Sequence, residues 1–562
     1  MDSLLATQQY INEMIRLASP GMKVILLDKE TTGIISCAYA QSEMMQKEVY
    51  LFERIDSGAT REPIHFLKCV VFVRPTPENV QLLIEELRSP RYVQYYIYFS
   101  NIISKADIKL LAEADEHETV REVQEFYADL IPIAPHLCSL GDPNCYETAF
   151  NVSPRVFRRA LQGLGSLFLA LRKRPMIKFQ KSSRDSQRLA EELSKLIVRE
   201  ESLFEGCTES VTVIIMERSE DPVSPLLNQW TYEAMVHELI GITNNRVLMQ
   251  VDGDEMPKNL VLSSQHDEFY AKNKYLNFGD IGQNIKTLMN EYQKKAQTHQ
   301  QLESIADMKR FVEQYPQFRK ISGTITKHVQ IVGELSRLVA AENLLEISEL
   351  EQSIVSGGDH SQCLDSLKKL LSHSKTSDLN ALRLVMLYAL RFESVSNSLD
   401  QLLDKLKQRG ISARQVAVVR TLVSYAGAKR RQNDLFGDQS AMEMTKRFIK
   451  GLKGVENVFT QHEPHICRIV ELLTRDRLSE QLYPTVERTR QSGRCENVII
   501  FMLGGCTYEE SAAVNAMNQK RLTMAHPRVL LCSNFIHNTK SFVDQLMGLT
   551  GGYATGKSND ML

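Results

Sequence analysis

Short, uninterrupted apolar runs separated by stretches of helical periodicity constrain this chain most. "KVILLD" (Lys23 to Asp28), "CVVFVRP" (Cys69 to Pro75), "YYIYFS" (Tyr95 to Ser100), "PMIKFQ" (Pro175 to Gln180) and "VTVIIM" (Val211 to Met216) have no polar alternation. They read as strands buried on both faces, which belong in parallel sheets covered by helices. Between two of them, "TPENVQLLIEELRSP" reads as a helix, with Pro77 near its start and Pro90 just past its end. "KADIKLLAEADE" and "TVREVQEF" read as short helices, and "YADLIPI" as a strand. From about Phe278 to Asp476 the periodicity is overwhelmingly helical; then "NVIIFMLGG" (Asn497 to Gly505), a helical "TYEESAAVNAMNQ" and "RVLLCSNF" (Arg528 to Phe535) restore the α/β pattern. The economical architecture is α/β plus an all-α insertion, in which one α/β domain is interrupted by a long helical block.

The stretch "VTVIIMERSEDPVSPLLNQWTYEAM" (Val211 to Met235) is the strongest local signal. Its apolar run stops at Glu217, Arg218, Glu220 and Asp221. Ser224 suits a helix N-cap and Pro225 a first helical position, with Leu227, Trp230 and Ala234 at helical spacing. This predicts a β-loop-α unit whose loop leaves the carboxyl end of a strand, where open α/β sheets bind ligands. No nucleophile or metal-ligand cluster stands beside it, so the charges are expected to hold their own turn.

Composition narrows the function classes. The 562 residues allow several domains, and 43% hydrophobic with 24% charged content is ordinary for a large globular core. A formal net charge of -2 gives no global field for nucleic acid or anionic membrane. No apolar stretch is long enough to span a bilayer, the first residues lack a signal-like block, and neither end carries a lipidation signal. The ten cysteines show no C-x-x-C and no zinc spacing, and read as buried reduced thiols of a cytosolic protein.

The motifs that invite chemistry are weak. "GGYATGKS" (Gly551 to Ser558) fits the phosphate-loop pattern, but only four residues follow, too few for the helix that holds phosphate. Gly504-Gly505 lies after a strand and before a helix, yet lacks G-x-G-x-x-G. Thr507 and Glu510 form a capping box that explains it without a ligand. His462 and His465 have only Glu463 as a third candidate, so no metal site is expected. "AKRRQ" (Ala428 to Gln432) reads as a solvated basic turn. In "EQYPQFRKISGTITKHVQIVGELSRLV", Pro316 sits inside a helical run and should break or turn it, while Ile325, Val329, Val332 and Ser336 line one stripe. That stripe is either core or an exposed hairpin presented to partner helices.

Taken together, "ERSEDPVSPLLNQWTYEAMVHELIG", "YLNFGDIGQNIK", "YPQFRKISGTITKHV", "LRLVMLYALRFE", "VIIFMLGGCTYEE" and "RVLLCSNFIHNTKSF" resemble the SM proteins, the Sec/Munc-type syntaxin-binding family of vesicle fusion. The resemblance runs nearly end to end and is strongest toward the endosomal and trans-Golgi branch. Glu217-Arg218 departs from the Asp-Arg of most members but keeps the charge. The resemblance implies a three-domain arch: residues 1–134; 135–245 joined to 479–562; and a helical 246–478 with a hairpin near 300–355. It implies no catalysis and no cofactor, and membrane association only through SNAREs. It implies that a syntaxin-type SNARE binds by its N-terminal peptide at Leu110, Leu111, Val123 and Glu125. It implies that SNARE helices, including the vesicle SNARE and the assembled complex, are gripped at Pro316, Ile325, His328 and Val329. An α/β nucleotide hydrolase using the Gly504-Gly505 loop is the alternative class.

Overall fold

The computed structural model describes the backbone except at residues 59–60, 148–149, 251–255, 301–304, 433–434, 437–461, 487–494, 521–525 and 551–562. Side chains are described with the further exceptions of 295–319 and 396–397. The phosphate-loop-like tail, Gly551 to Ser558, therefore lies outside the described residues.

The first sheet is entirely parallel. Its strands are β1 (Lys23–Leu27), β2 (Val49–Arg54), β3 (Ile64–Val73), β4 (Tyr92–Phe99) and β5 (Val120–Glu125), in the order β2-β1-β3-β4-β5. Helices α1 (Ser3–Leu17), α2 (Lys29–Ala38), α3 (Gln41–Gln46), α4 (Pro77–Arg88) and α5 (Lys105–Ala114) alternate with it. Ile11, Met14, Ile34 and Ile35 pack with Ile25, Val70 and Phe72. Val80, Leu83 and Leu87 pack with Val24, Val71 and Ile97 in a second cluster. Thr76 caps α4 through the Asn79 N–H, with Pro77 at its first turn, as the sequence predicts.

In a sheet of this order, ligands bind at the carboxyl ends of β1 and β3. Here that crevice is filled by the protein itself. Asp28 accepts from Arg74 N and Asn79 Nδ2, both at 2.7 Å. Asp129 accepts from Arg74 Nε at 3.0 Å, and from Arg159 Nη1 and Asn101 Nδ2 at 2.8 Å. Arg159 comes from α6 (Pro154–Leu171), so a helix from outside the first sheet plugs the fold's customary ligand position.

The second sheet joins distant parts of the chain. It contains β6 (Ile131–Ala134), β7 (Leu137–Ser139), β8 (Lys173–Phe179), β9 (Thr208–Glu217), β12 (Asn497–Leu503) and β13 (Arg528–Ser533), in the order β6-β7-β13-β12-β9-β8. Asn497 is in register with both Val211 and Arg528. Helices α6 and α7 (Arg184–Arg199) accompany it. Between β9 and β12 in sequence, β10 (Arg246–Met249) and β11 (Lys258–Val261) form a separate antiparallel pair.

Several elements differ from the sequence reading. "TVREVQEF" is not a helix but supplies β5, an edge strand paired only with β4. An edge can keep charge on its open side, which hid the two-residue period. The strand in "YADLIPI" pairs antiparallel with β7 and so belongs to the second sheet. The predicted helix from Ser224 is a short 3-10 turn, Ser224–Leu226, and the α-helix starts only at Tyr232. Its backbone and side chains find partners elsewhere: Asn228 N and Nδ2 bind Glu351, and Trp230 Nε1 binds Ser348 Oγ.

Met1–Arg218, Ile466–Cys506 and Ala513–Ile536 make one compact unit, which holds the parallel first sheet and the second sheet with its antiparallel edge strand β6. The other comprises Ser219–His465, Thr507–Ala512 and a C-terminal part from His537. Its helices include α8 (Tyr232–Leu239), α9 (Glu268–Asn273), α10 (Phe278–Gln300), α11 (Ile305–Ala341), α12 (Leu344–Val355), α13 (His360–Leu371), α14 (Asp378–Arg391), α15 (Ser396–Gln408) and α16 (Ala413–Ala426). Every residue of α14 from Asn380 to Leu390 is buried, which makes it the axis of this unit. Contrary to the expected break, α11 runs unbroken through Pro316. An interior proline costs about 3 kcal/mol. The helix tolerates it because a buried stripe of Ile325, His328, Ile331 and Leu335 anchors the carboxyl half.

Candidate functional site

The surface formed by α5 and β5 has the strongest claim to a ligand. Ser104 caps α5: its Oγ accepts from Asp107 N at 3.0 Å and donates to Asp107 Oδ2 at 2.7 Å. Asp115 closes the turn into β5, accepting from Thr119 N at 2.9 Å and Val120 N at 3.0 Å. The carboxylate of Glu125 then fastens the far end of β5, accepting from Ile103 N and from the Tyr127 hydroxyl, each at 2.8 Å. Burial first, and that hydrogen bond second, push the Tyr127 phenol above its ordinary value.

On this braced frame, Leu110 is 47% exposed, Ile108 39% and Val123 38%. Leu111 is only 3% exposed and packs into the core with Val71 and Ile97. Of the four positions predicted to line a peptide pocket, Leu110 and Val123 are thus open to a ligand, and Glu125 lies at the edge as a brace. Leu111 is a floor, not a wall; the expectation that it meets the peptide directly is corrected by its burial. Ile108, one turn before Leu111, is exposed and extends the apolar surface.

The second predicted site lies on α11. Ile325 is 9% exposed and His328 fully buried, while Val329 is 42% exposed. The backbone of Pro316 is helical, and its side chain lies outside the described residues. The expected stripe Ile325, Val329, Val332 and Ser336 is therefore split: the buried line follows Ile325, His328, Ile331 and Leu335, and Val329 faces outward. In this arrangement His328 cannot touch a partner. Its Nδ1 meets the Tyr232 hydroxyl at 2.7 Å and its Nε2 meets Asp267 Oδ2 at 2.9 Å.

The loop after β9 is held partly by its own charges, as its composition predicts, and partly by residues distant in sequence. Asp221 Oδ1 accepts from Val223 N at 3.2 Å and Ser224 N at 3.1 Å. Its Oδ2 accepts from Ser224 Oγ at 2.6 Å and His465 N at 3.2 Å. His462 Nε2 lies 3.4 Å from Ser224 Oγ. Among the described residues no group of three or more His, Cys, Asp or Glu side chains is placed to hold a metal.

The Sec1 family model matches residues 23–545 of the sequence. The chain belongs to the Sec1 family. Human vacuolar protein sorting-associated protein 45 is 50% identical over 553 residues, covering 97% of this chain and 96% of the relative. The Arabidopsis thaliana homolog is 40% identical over 556 residues, covering 96% and 97%. A solved structure of the SM protein Vps45 in complex with the Qa SNARE Tlg2 matches with a TM-score of 0.89 and 42% identity, over 99% of both chains. The parallel-sheet α/β regions and many helices described above are this family's fold.

In this Sec1-family chain the Gly504-Gly505 loop serves packing. Both glycines have positive φ, +88° and +93°. Gly504 N donates to Asn534 Oδ1 at 2.8 Å, and a Cβ at Gly504 would lie 2.3 Å from the Tyr146 hydroxyl and 2.8 Å from Arg218 Cβ. An amide already bonded to Asn534 and walled by Tyr146 leaves no cradle for phosphate. Thr507 and Glu510 form the predicted capping box: Thr507 N donates to Glu510 Oε2 at 2.8 Å and Glu510 N to Thr507 Oγ1 at 3.2 Å. Neither this geometry nor the relatives support a hydrolase. No helix among the described residues is long and apolar enough to cross a membrane.

Proposed function

We propose that this protein is a SNARE-binding regulator of vesicle fusion in endosomal and trans-Golgi traffic. The observation that carries the reading is the match, at 42% identity over 99% of both chains, to an SM protein solved in complex with a Qa SNARE. The partner is a syntaxin-type SNARE, held by its N-terminal peptide and by its helical core, and the protein promotes SNARE assembly without catalysing a reaction. The peptide docks on Leu110 and Val123 above the Leu111 floor, with Glu125 at the rim. An apolar surface edged by a carboxylate suits a short peptide presenting a large apolar residue and a basic one. The vesicle SNARE and the assembled complex engage α11 along its exposed side, at Val329 and toward Pro316. Association with endosome and Golgi membranes is peripheral and runs through SNAREs. Domain one spans residues 1–134, domain two 135–245 with 479–562, and domain three 246–478.

A pulldown with purified protein against a panel of syntaxin-type cytosolic domains tests the reading. One Qa SNARE should be retained, and removal of its N-terminal peptide should weaken retention. Magnesium-dependent ATP or GTP hydrolysis by the purified protein, or a nucleotide-induced rise in unfolding stability of about 2.7 kcal/mol at a hundred times the dissociation constant, would overturn the non-catalytic part.

A further inference from the structure

A buried polar cluster surrounds His328, away from the exposed side of α11. It closes into a ring. His328, on α11, lies between the Tyr232 hydroxyl at the start of α8 (2.7 Å) and Asp267 Oδ2 at the start of α9 (2.9 Å). Asp267 Oδ1 caps α9 by accepting from Tyr270 N at 2.9 Å. The Tyr270 hydroxyl returns to α8 by donating to Glu233 Oε1 at 2.6 Å. Three helices are thereby tied through five polar side chains, Tyr232, Glu233, Asp267, Tyr270 and His328, each buried. Lys327, the residue before His328, pairs with the same Asp267 oxygen and also donates to Val261 O at 2.9 Å, which brings in β11.

The ring is enclosed by aromatic faces. The His328 imidazole stacks on Tyr270 at 6.3 Å and 10°, and its centroid lies 4.7 Å from Phe269. Asp267 accepts at Nε2, so that nitrogen carries the proton and Nδ1 receives the Tyr232 hydroxyl. Asp267 Oδ2 and Glu233 Oε1 each take a second partner, Lys327 and Lys274, and moving a helix breaks buried polar contacts that water cannot replace. Such a network, when complete, selects one arrangement over its neighbours. It sits far from the amino end of α11: the span from Ile305 to His328 corresponds to a lever of ~35 Å at the helical rise per residue. A tilt of about 10° at the ring would displace that end by about 6 Å, more than a helical turn.

We propose that Tyr232, Asp267 and His328 are positioning residues that fix the direction of α11 and so set its capacity to bind a vesicle SNARE. The second half rests on the proposed function of α11; the first does not. The ring touches no partner and acts through the helix it aims.

The test uses the full-length protein with spin labels at Lys320 on α11 and Lys272 on α9, with dipolar distance distributions recorded for the parent, Tyr232→Phe and Asp267→Asn. Tyr232→Phe removes one hydroxyl and keeps the ring shape, so it tests the idea even where Asp267→Asn fails to fold. Both variants should broaden or shift the distribution. Each should also weaken binding of a soluble vesicle-SNARE cytosolic domain roughly tenfold while leaving affinity for a Qa SNARE N-terminal peptide unchanged. A distribution unaltered in folded Tyr232→Phe overturns the positioning role. An altered distribution with unaltered vesicle-SNARE affinity overturns the link to binding. If the parent itself does not bind the vesicle SNARE, the reading of α11 fails, and the label distances still decide the ring.

Discussion

Replacing Leu110 by Ala separates a docking surface from ordinary surface chemistry. Leu110 is 47% exposed beside a Leu111 that is 3% exposed, so neighbouring residues of one type make opposite forecasts. Full burial of a leucine side chain is worth about 1.5–3 kcal/mol, and roughly half of that remains to be gained at Leu110 when a peptide covers it. Leu110→Ala should therefore cost about 1 kcal/mol of binding, near a fivefold rise in Kd. Its effect on folding should stay within about 0.5 kcal/mol, as for most exposed positions. Leu111→Ala opens a cavity under the same surface and should cost about 2–5 kcal/mol of stability. Calorimetric titration with a Qa SNARE N-terminal peptide, beside a denaturation curve for each variant, reads both quantities. A Kd within twofold of the parent for Leu110→Ala, with heat of binding intact, would refute docking at α5 and β5. A Leu111→Ala variant as stable as the parent would refute the core assignment on which the contrast depends.

Other outcomes follow from the same geometry. Val329→Asp puts a charge on a position that is 42% exposed, so it should weaken vesicle-SNARE binding in a pulldown while leaving the melt unchanged; unchanged binding would remove α11 from the interface. Gly504→Ala places a methyl 2.3 Å from the Tyr146 hydroxyl at a φ of +88°, and should destabilise by more than about 2 kcal/mol in urea. A neutral result there would reopen the loop to a ligand. Glu351 is fully buried, and burial pushes its carboxyl from 4.5 up to about 7 despite Arg383 Nη2 at 2.9 Å. Between those two values the folded state holds a proton that the unfolded state has lost, so stability falls as pH rises through the window, by up to about 3 kcal/mol. Glu351→Gln should flatten that slope in denaturation curves taken from pH 5 to 8, and an unchanged slope would show that another group carries it.

Local chemistry in the sequence determined much of this protein. Continuous apolar runs such as Val24 to Leu27 and Val498 to Leu503 could only be strands covered on both faces, and they are. Pro77, and Thr507 with Glu510, marked helix starts because capping needs only residues a few positions apart. The charges after Met216 could be read as holding their own turn for the same reason, and Asp221 does accept from Val223 N and from Ser224. The family was also legible, because its motifs are spread along the whole chain.

What the tertiary structure alone decided depends on partners distant in sequence. Val120–Glu125 is a strand because β4 offers it an edge; its own charges and short length favour no strand in isolation. The segment from Asn228 to Thr231 stays non-helical because Glu351 and Ser348, more than a hundred residues away, take its polar groups. Leu110 and Leu111 are indistinguishable as letters, and only the packing of α5 on the first sheet makes one a surface and the other a floor. His328 and Val329 are neighbours on α11, yet Tyr232 and Asp267 draw the first inward and leave the second to solvent. Burial is a property of the whole assembled core, and a side chain's own chemistry sets only the energy at stake when it is buried.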